Sequence, residues 1–523
     1  MKLDNLDELI QNKNVKLYLL SILIGLFTGL VVVAYRASLT FITNLRIETF
    51  SKITLGNYHL FGITIIAFIF TAILLNKLIT KYPMIKGSGI PQIKGVLLMQ
   101  FEFNWIKELI YKFIGGILSV GSGLSLGRGG PSIQLGSQIA YGVRKIFKGS
   151  NVNEKFLISS GISAGLSAAF SSPLAGIIFT IEEIHKYLTP VLLICISLAS
   201  ISAEVVTQFI LGDNRLFDFK GIIPNSLDKF ENFIFIFIFA ILISILGVIF
   251  TTSLLKFQKF YLQLKLTPLF KSLVIFAISI TVGIFILDIQ GVGYKLILKT
   301  GHETFSFKLI AALLLGKLIF TILSNGPGFP GGLFLPSLVL GALSGNLFGL
   351  LLEALSSDNK NLQQYFMVLG MAAFFTAVMR TPLTGNILLL EMTGSFDYLS
   401  SLILVTTVSY ITTELMGIRP ITSVLYENLE KSKNIHRKEL SKNSTIFSSP
   451  ILGGSWLDDM EVSKVKWPHD SLLIKIKRDS YDIIPKGNTK ILSGDTLFIL
   501  TNQAREKELK PIIFDLGTKP KST

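Results

Sequence analysis

Residues 172–183 read SPLAGIIFTIEE, and residues 381–392, about 209 positions later, read TPLTGNILLLEM. Each stretch sets a proline after a small hydroxylated residue, continues through an apolar run and closes on carboxylates: Glu182 and Glu183 in the first, Glu391 in the second. A second pair agrees with the first. GGPSIQLGSQIA around Pro131 and LFLPSLVLGALSG around Pro336 share the pattern Pro-Ser-x-x-Leu-Gly at an offset of about 205. Two unrelated motifs at nearly one offset are hard to obtain by chance, so the chain holds two homologous halves, roughly 60–210 and 270–416. Such a duplication is common in transporters, with the site at the interface of the repeats. Spacing alone leaves open whether the halves run parallel or inverted.

Half of the 523 residues are hydrophobic and only 16% are charged, which a soluble core could not absorb. Apolar stretches of roughly 20 residues, enough to cross the hydrocarbon layer, begin at Leu17–Tyr35 and recur as far as Ser400–Met416. There are about ten to twelve of them, so the expectation is an all-α polytopic membrane protein. Several are cut by glycine and proline, as in Gly115–Gly136 and Gly326–Gly345. Irregular backbone at membrane depth is tolerated only where protein or a water-filled cavity satisfies its N–H and C=O groups. The interruptions are therefore where a site belongs.

Many of the basic residues behind the net charge of +15 sit in the last hundred positions, where 17 Lys and Arg stand against 13 Asp and Glu, and more sit in short loops. Basic residues near membrane ends place those ends in the cytoplasm, so both termini are expected there, with an even number of crossings of the inner (plasma) membrane and no nucleic-acid partner. Met1–Lys16 leads straight into a full-length span and reads as a first anchor rather than a cleaved signal. One cysteine, Cys195, excludes a disulfide within the chain, and the five histidines lack the paired spacing of a metal site. No nucleophile with a base is evident. No cofactor and no enzyme activity are expected.

Three segments share one grammar: GSGIP at Gly87–Pro91, GRGGP at Gly127–Pro131 and GGLFLP at Gly331–Pro336. Proline in the first turn, after glycines that allow a tight approach, marks a helix N-terminus. Each segment would aim free amides and a positive dipole end into the membrane. None contains a carboxylate, and GSGIP adds the Ser88 hydroxyl. Amides and a hydroxyl suit an anion held weakly enough to leave, whereas a cation would want carboxylates or converging carbonyls. The competing reading is that these glycines only permit close helix packing.

At these residues the sequence resembles the CLC family of chloride channels and proton-coupled chloride transporters: GSGIP, GRGGP in place of the usual GREGP, PLAGIIFTIEE, GGLFLP, and PLTG with LLLEM follow in family order. The resemblance implies an inverted-repeat fold of broken helices and a homodimer with one chloride pathway per subunit. By it Ser88, Gly89 and Ile90 with the amides of Leu333 and Phe334 hold the central ion, and Gly127–Pro131, including Gly129 and Gly130, line the outer site. The family's gating glutamate corresponds to Gly129 and its central tyrosine to Thr422, and both changes loosen the gates. Glu183 matches the intracellular proton-transfer glutamate. It either serves a proton path with another outer acceptor or is an interfacial charge near His185 and Lys186. Glu391 reads as a packing or hydrogen-bonding group. Lys317, a charge within an apolar run, either snorkels or adds positive potential to the pathway.

The expected organisation is a membrane domain over residues 1–427, a linker over 428–447 and a small α+β cytoplasmic domain over 448–523. GSWLDDMEVSKV, DSLLIKIKR, IIPKGNTKI and LSGDTLFILT in that last part resemble the TrkA-C (RCK_C) regulatory module, which implies a small-molecule ligand or dimerisation. The expected function is chloride conduction uncoupled from protons. Alternatives are a proton/chloride antiporter with a relocated acceptor, or a ligand-sensing protein acting through its tail.

Overall fold

The computed structural model describes residues 13–212 apart from 55, 99, 103, 148–150 and 187; residue 217; residues 230–432 apart from 304 and 356–361; and residues 444–520 apart from 479–480 and 503–504. The chain divides into two compact units, Met1–Leu429 and Glu430–Thr523.

The first unit is helical. After α1 (Lys13–Thr54) come α2 (Tyr58–Lys81), α3 (Ile90–Leu97), α4 (Trp105–Gly121) and α5 (Gly129–Ile146). They are followed by α6 (Asn151–Phe170), α7 (Pro173–Phe179) and α8 (Pro190–Leu211). Beyond α9 (Phe230–Gln263) the series returns as α10 (Pro268–Phe285), α11 (Tyr294–His302), α12 (Phe307–Asn325) and α13 (Phe334–Leu355). It ends with α14 (Leu362–Met379), α15 (Pro382–Thr393) and α16 (Leu399–Leu415), and α17 (Ile421–Ser432) closes the unit. Among the described residues eight helices are long and apolar enough to cross a membrane. This is fewer than hydropathy alone predicts. Glycine and proline cut the apolar stretches into pieces such as α3, with 8 residues, and α7, with 7. At 1.5 Å per residue these reach about 12 Å, less than half of the hydrocarbon layer.

The two halves meet through reciprocal contacts. Gly127 and Gly332 each donate an N–H to the other's carbonyl, at 2.6 and 2.8 Å. Glu391 accepts the Leu174 and Ala175 amides opening α7 (2.9 and 2.8 Å), while Glu182 accepts those of Leu383 and Thr384 opening α15 (3.1 and 2.8 Å). A residue that meets its own repeat-mate in this mutual way lies beside a local two-fold axis. Close packing repeats as well. A Cβ on Gly136 would run into the Gly161 carbonyl, and one on Gly341 into that of Gly370, so both crossings require glycine.

Two buried lysines complete the pattern. Lys112 donates to the carbonyls of Ile85 and Gly87 (2.9 and 2.7 Å), and Lys317 to those of Ile289 and Gly291 (2.9 and 2.7 Å). Lys317 therefore does not snorkel: it is fully buried and ties down the turn ahead of α11 as Lys112 does ahead of α3. At each turn the lysine satisfies two carbonyls of a backbone that must stay irregular inside the membrane.

The second unit is an antiparallel sheet of β1 (Ser444–Pro450), β2 (Ser471–Arg478), β3 (Tyr481–Ile483) and β4 (Thr496–Asn502), in the order β1-β4-β2-β3, followed by α18 (Glu506–Thr518). Phe447, Ile476, Leu497 and Ile499 of the sheet pack with Leu509 and Ile513 of α18 in a core of their own. Of the interval 428–447 expected as a linker, α17 occupies the start and β1 the end, and residues 433–443 lie outside the described residues. Because each unit has its own core, a chain ending after Lys433 is expected to stay monodisperse in detergent with unchanged oligomeric state and chloride flux. Size-exclusion with light scattering and a flux assay check this, and aggregation would make the tail part of the membrane unit's fold.

Candidate anion-binding site

The three glycine-rich segments, far apart in sequence, converge. Gly87 donates to Gly328 at 2.9 Å and accepts from Gly331 at 3.0 Å, which lays GSGIP along the approach to GGLFLP; the Gly127–Gly332 bridge adds GRGGP. Ser88 and Gly130 then face each other. A Cβ on Gly130 would lie 2.7 Å from the Ser88 carbonyl oxygen and 2.8 Å from its Cβ. Gly89, at φ +91°, turns the chain into α3, and a Cβ there would press on Gln134, whose amide donates to Met84 at 2.8 Å. Both glycines are there for close approach.

The result is a cluster of helix N-termini. α3 begins at Ile90, α5 at Gly129 and α13 at Phe334, with Leu333 just ahead of it, and neither α3 nor α5 has a side-chain cap. The first amides of each helix lack an intrahelical acceptor, and the dipole ends add positive potential. Ile90, Gly129, Gly130, Leu333 and Phe334 are buried and Ser88 is partly exposed. An anion is the ligand such amides can hold.

Gly129 is not beside empty space. A Cβ on it would lie 2.9 and 3.0 Å from the Phe170 ring and 3.1 Å from the Phe334 Cβ. Phe334 in turn stacks on Phe170 with centroids 5.8 Å apart and packs against Phe179 and Phe375 at 5.4 and 4.8 Å. Aromatic rings thus crowd the position of a Cβ at 129, and the glycine does not open onto free space.

Arg128, just ahead of Gly129, sits 5.8 Å over the Phe170 ring, and its Nε and Nη2 are buried without a hydrogen-bond partner. It lines a cavity of about 280 Å³ with Arg46, Tyr294, Lys295 and Lys299. The lining also holds Asp288, paired with Lys299 at 3.0 Å, so four cationic side chains face one carboxylate, a balance that favours an anion.

On another side of the cluster, Glu183 follows α7 in a π-helical turn, Thr180–His185. It takes an ion pair from Lys94 of α3 at 2.6 Å and a hydrogen bond from the Thr422 hydroxyl of α17. Thr422 is thus brought to Glu183, and its hydroxyl is directed there. Sequence reasoning passed over Arg128, Lys112 and Lys94. Lys112 had a signal, because it precedes Lys317 by the repeat offset of about 205. Lys94 had none, since an isolated lysine two residues past GSGIPQ does not announce its partner.

Known proteins resemble both parts of the chain. The family model described as voltage gated chloride channel matches residues 71–414, and the TrkA-C domain model matches residues 447–513. The chain is 28% identical over 436 residues to the H(+)/Cl(-) exchange transporter ClcA of Vibrio cholerae, covering 81% of this chain and 92% of that protein. It is 30% identical over 423 residues to the protein of the same name from Salmonella arizonae, covering 78% and 87%. Its fold is similar to that of a slow cyanobacterial Cl-/H+ antiporter, with a TM-score of 0.75 and 25% identity over 80% of this chain and 99% of that one. A eukaryotic CLC transporter shares the fold at a TM-score of 0.66 and 20% identity, over 79% and 73%. With the family's motifs in order, two inverted halves of broken helices and a TrkA-C tail, this multi-pass membrane chain belongs to the voltage-gated chloride channel (CLC) family.

Proposed function

We propose that the protein passes chloride across the inner membrane without obligatory proton exchange, as a homodimer with both termini cytoplasmic and without enzymatic chemistry. Ser88, the amides of Ile90, Leu333 and Phe334, and the turn at Gly89 hold the central ion. Gly129 and Gly130 line the outer site, which Arg128 feeds. One observation carries the reading. At the start of α5, where a titratable side chain would have to alternate with chloride, the residue is Gly129, and its surroundings are phenyl rings. A glycine binds no proton. Glu183, paired with Lys94, has no carboxylate at position 129 to exchange with.

The relatives' names favour a second reading, proton/chloride antiport with the outer acceptor relocated. Proteoliposomes given a chloride gradient, with the membrane potential left free, separate the two. The expected result is chloride movement without uphill proton uptake. Stoichiometric proton uptake would sink the passive reading and establish the antiporter. The TrkA-C-like tail we assign to sensing a small-molecule ligand on the cytoplasmic face.

A further inference from the structure

Lys94 stands where no expectation placed a cation. It lies four residues past Ile90 on α3, about 6 Å along the helix from the amide proposed to hold the central anion. Its ammonium meets the Glu183 carboxylate at 2.6 Å, with side chains only 14% and 6% exposed. The same carboxylate oxygen takes the Thr422 hydroxyl, so the chain Lys94–Glu183–Thr422 joins α3, the turn after α7, and α17. Of these, α17 is the helix that leads out of the membrane unit toward the tail.

Stability alone is a weak reason for the pair. Two buried charges cost much to desolvate, and apolar residues of like volume often serve the fold as well. What the pair does supply is a balance of charge. A lone carboxylate here would repel an approaching anion, and a lone ammonium would trap it. An uncompensated unit charge about 10 Å from an anion, at an effective dielectric of about 20, alters its occupancy by roughly tenfold. We infer that Lys94 is the counter-charge of the inner pathway, a positioning residue that neutralises Glu183 beside the anion site so that chloride approaches and leaves through a region of no net charge. This rests on the anion-path reading above. It also withdraws Glu183 from any role as a free carboxylate.

The test is chloride efflux from proteoliposomes at equal pH on both sides, over a series of internal chloride concentrations, for wild type, Lys94→Gln, Glu183→Gln, the double variant and the exchange Lys94→Glu/Glu183→Lys. Lys94→Gln is expected to raise the chloride concentration for half-maximal flux by roughly tenfold, and Glu183→Gln to lower it by about as much. The double variant and the exchange should return to within about threefold of wild type, as coupled neighbours do. If Lys94→Gln and Glu183→Gln impair flux alike, or the double variant shows the sum of two losses, the pair is structural only and the inference fails. Should Lys94→Gln not fold, Glu183→Gln and the exchange still give opposite outcomes under the two accounts. Uphill proton transport in wild type would overturn the passive reading without changing the order of these half-saturation values, so the two failures are distinguishable.

Discussion

Glutamate at position 129 is expected to cut chloride flux at neutral pH by roughly tenfold or more and to give it back on acidification. Gly129 is the first residue of α5, so a carboxylate there reaches the same unpaired amides that are proposed to hold the anion. Tethered to the chain, it competes at a concentration no bath chloride matches. The sign follows from which form binds. Above its pKa, about 4.3 for an ordinary glutamate, the side chain is charged and occupies the amides; below it, protonation releases them. Flux should therefore recover as pH falls toward about 4. Packing must be separated from charge, because any Cβ at 129 presses on Phe170 at 2.9 Å. Gly129→Ala is expected to leave flux within about threefold of wild type at every pH if the ring yields by a few tenths of an ångström. Gly129→Gln should stay low throughout. Indistinguishable pH profiles for the Glu and Gln variants would remove position 129 from the gate.

Lys317→Met should destabilise the membrane unit more than Lys112→Met, and the effects on flux should run the other way. Lys317→Met strands the Ile289 and Gly291 carbonyls, whereas Lys112→Met strands that of Ile85 and leaves Gly87 its bond from Gly331; at about 1–3 kcal/mol per stranded group, the losses should be roughly 2–5 and 1–3 kcal/mol. The former is a large share of a stability that seldom exceeds about 15 kcal/mol. The functional asymmetry comes from what the carbonyls belong to. Gly87, held by Lys112, adjoins Ser88 and is hydrogen-bonded to Gly331, whereas Gly291, held by Lys317, leads into α11. Thermal unfolding in detergent and flux at a temperature where both variants are folded give the comparison. Equal loss of flux in the two would mean that Lys112 does not position the anion segment.

Much of the architecture was legible in the sequence because duplicated motifs carry distance information. Pro131 with Pro336, and Pro173 with Pro382, fixed which elements correspond, and GSGIP, GRGGP and GGLFLP fixed where helices start. What could not be read was who faces whom. The reciprocal binding of Glu182 and Glu391 to each other's partner helix was invisible, since each looks like a polar end to an apolar run. The aromatic surround of Gly129 was also hidden, because Phe170, Phe334 and Phe375 are ordinary core residues until they are brought together. The chain Lys94–Glu183–Thr422 spans three elements that no periodicity links.

The mutual clasp of the two glutamates also sets a clock on biosynthesis. The amides of Leu174 and Ala175 have their acceptor on a residue about 217 positions later, and until that residue has been made the start of α7 cannot reach its final state. At roughly 5–20 residues per second the wait is on the order of 10–40 s. Throughout it the nascent first half holds exposed polar backbone within or beside the bilayer, where each unsatisfied group is costly. The halves are thus expected to finish together, since a first half made without Glu391 leaves these two amides short of their acceptor.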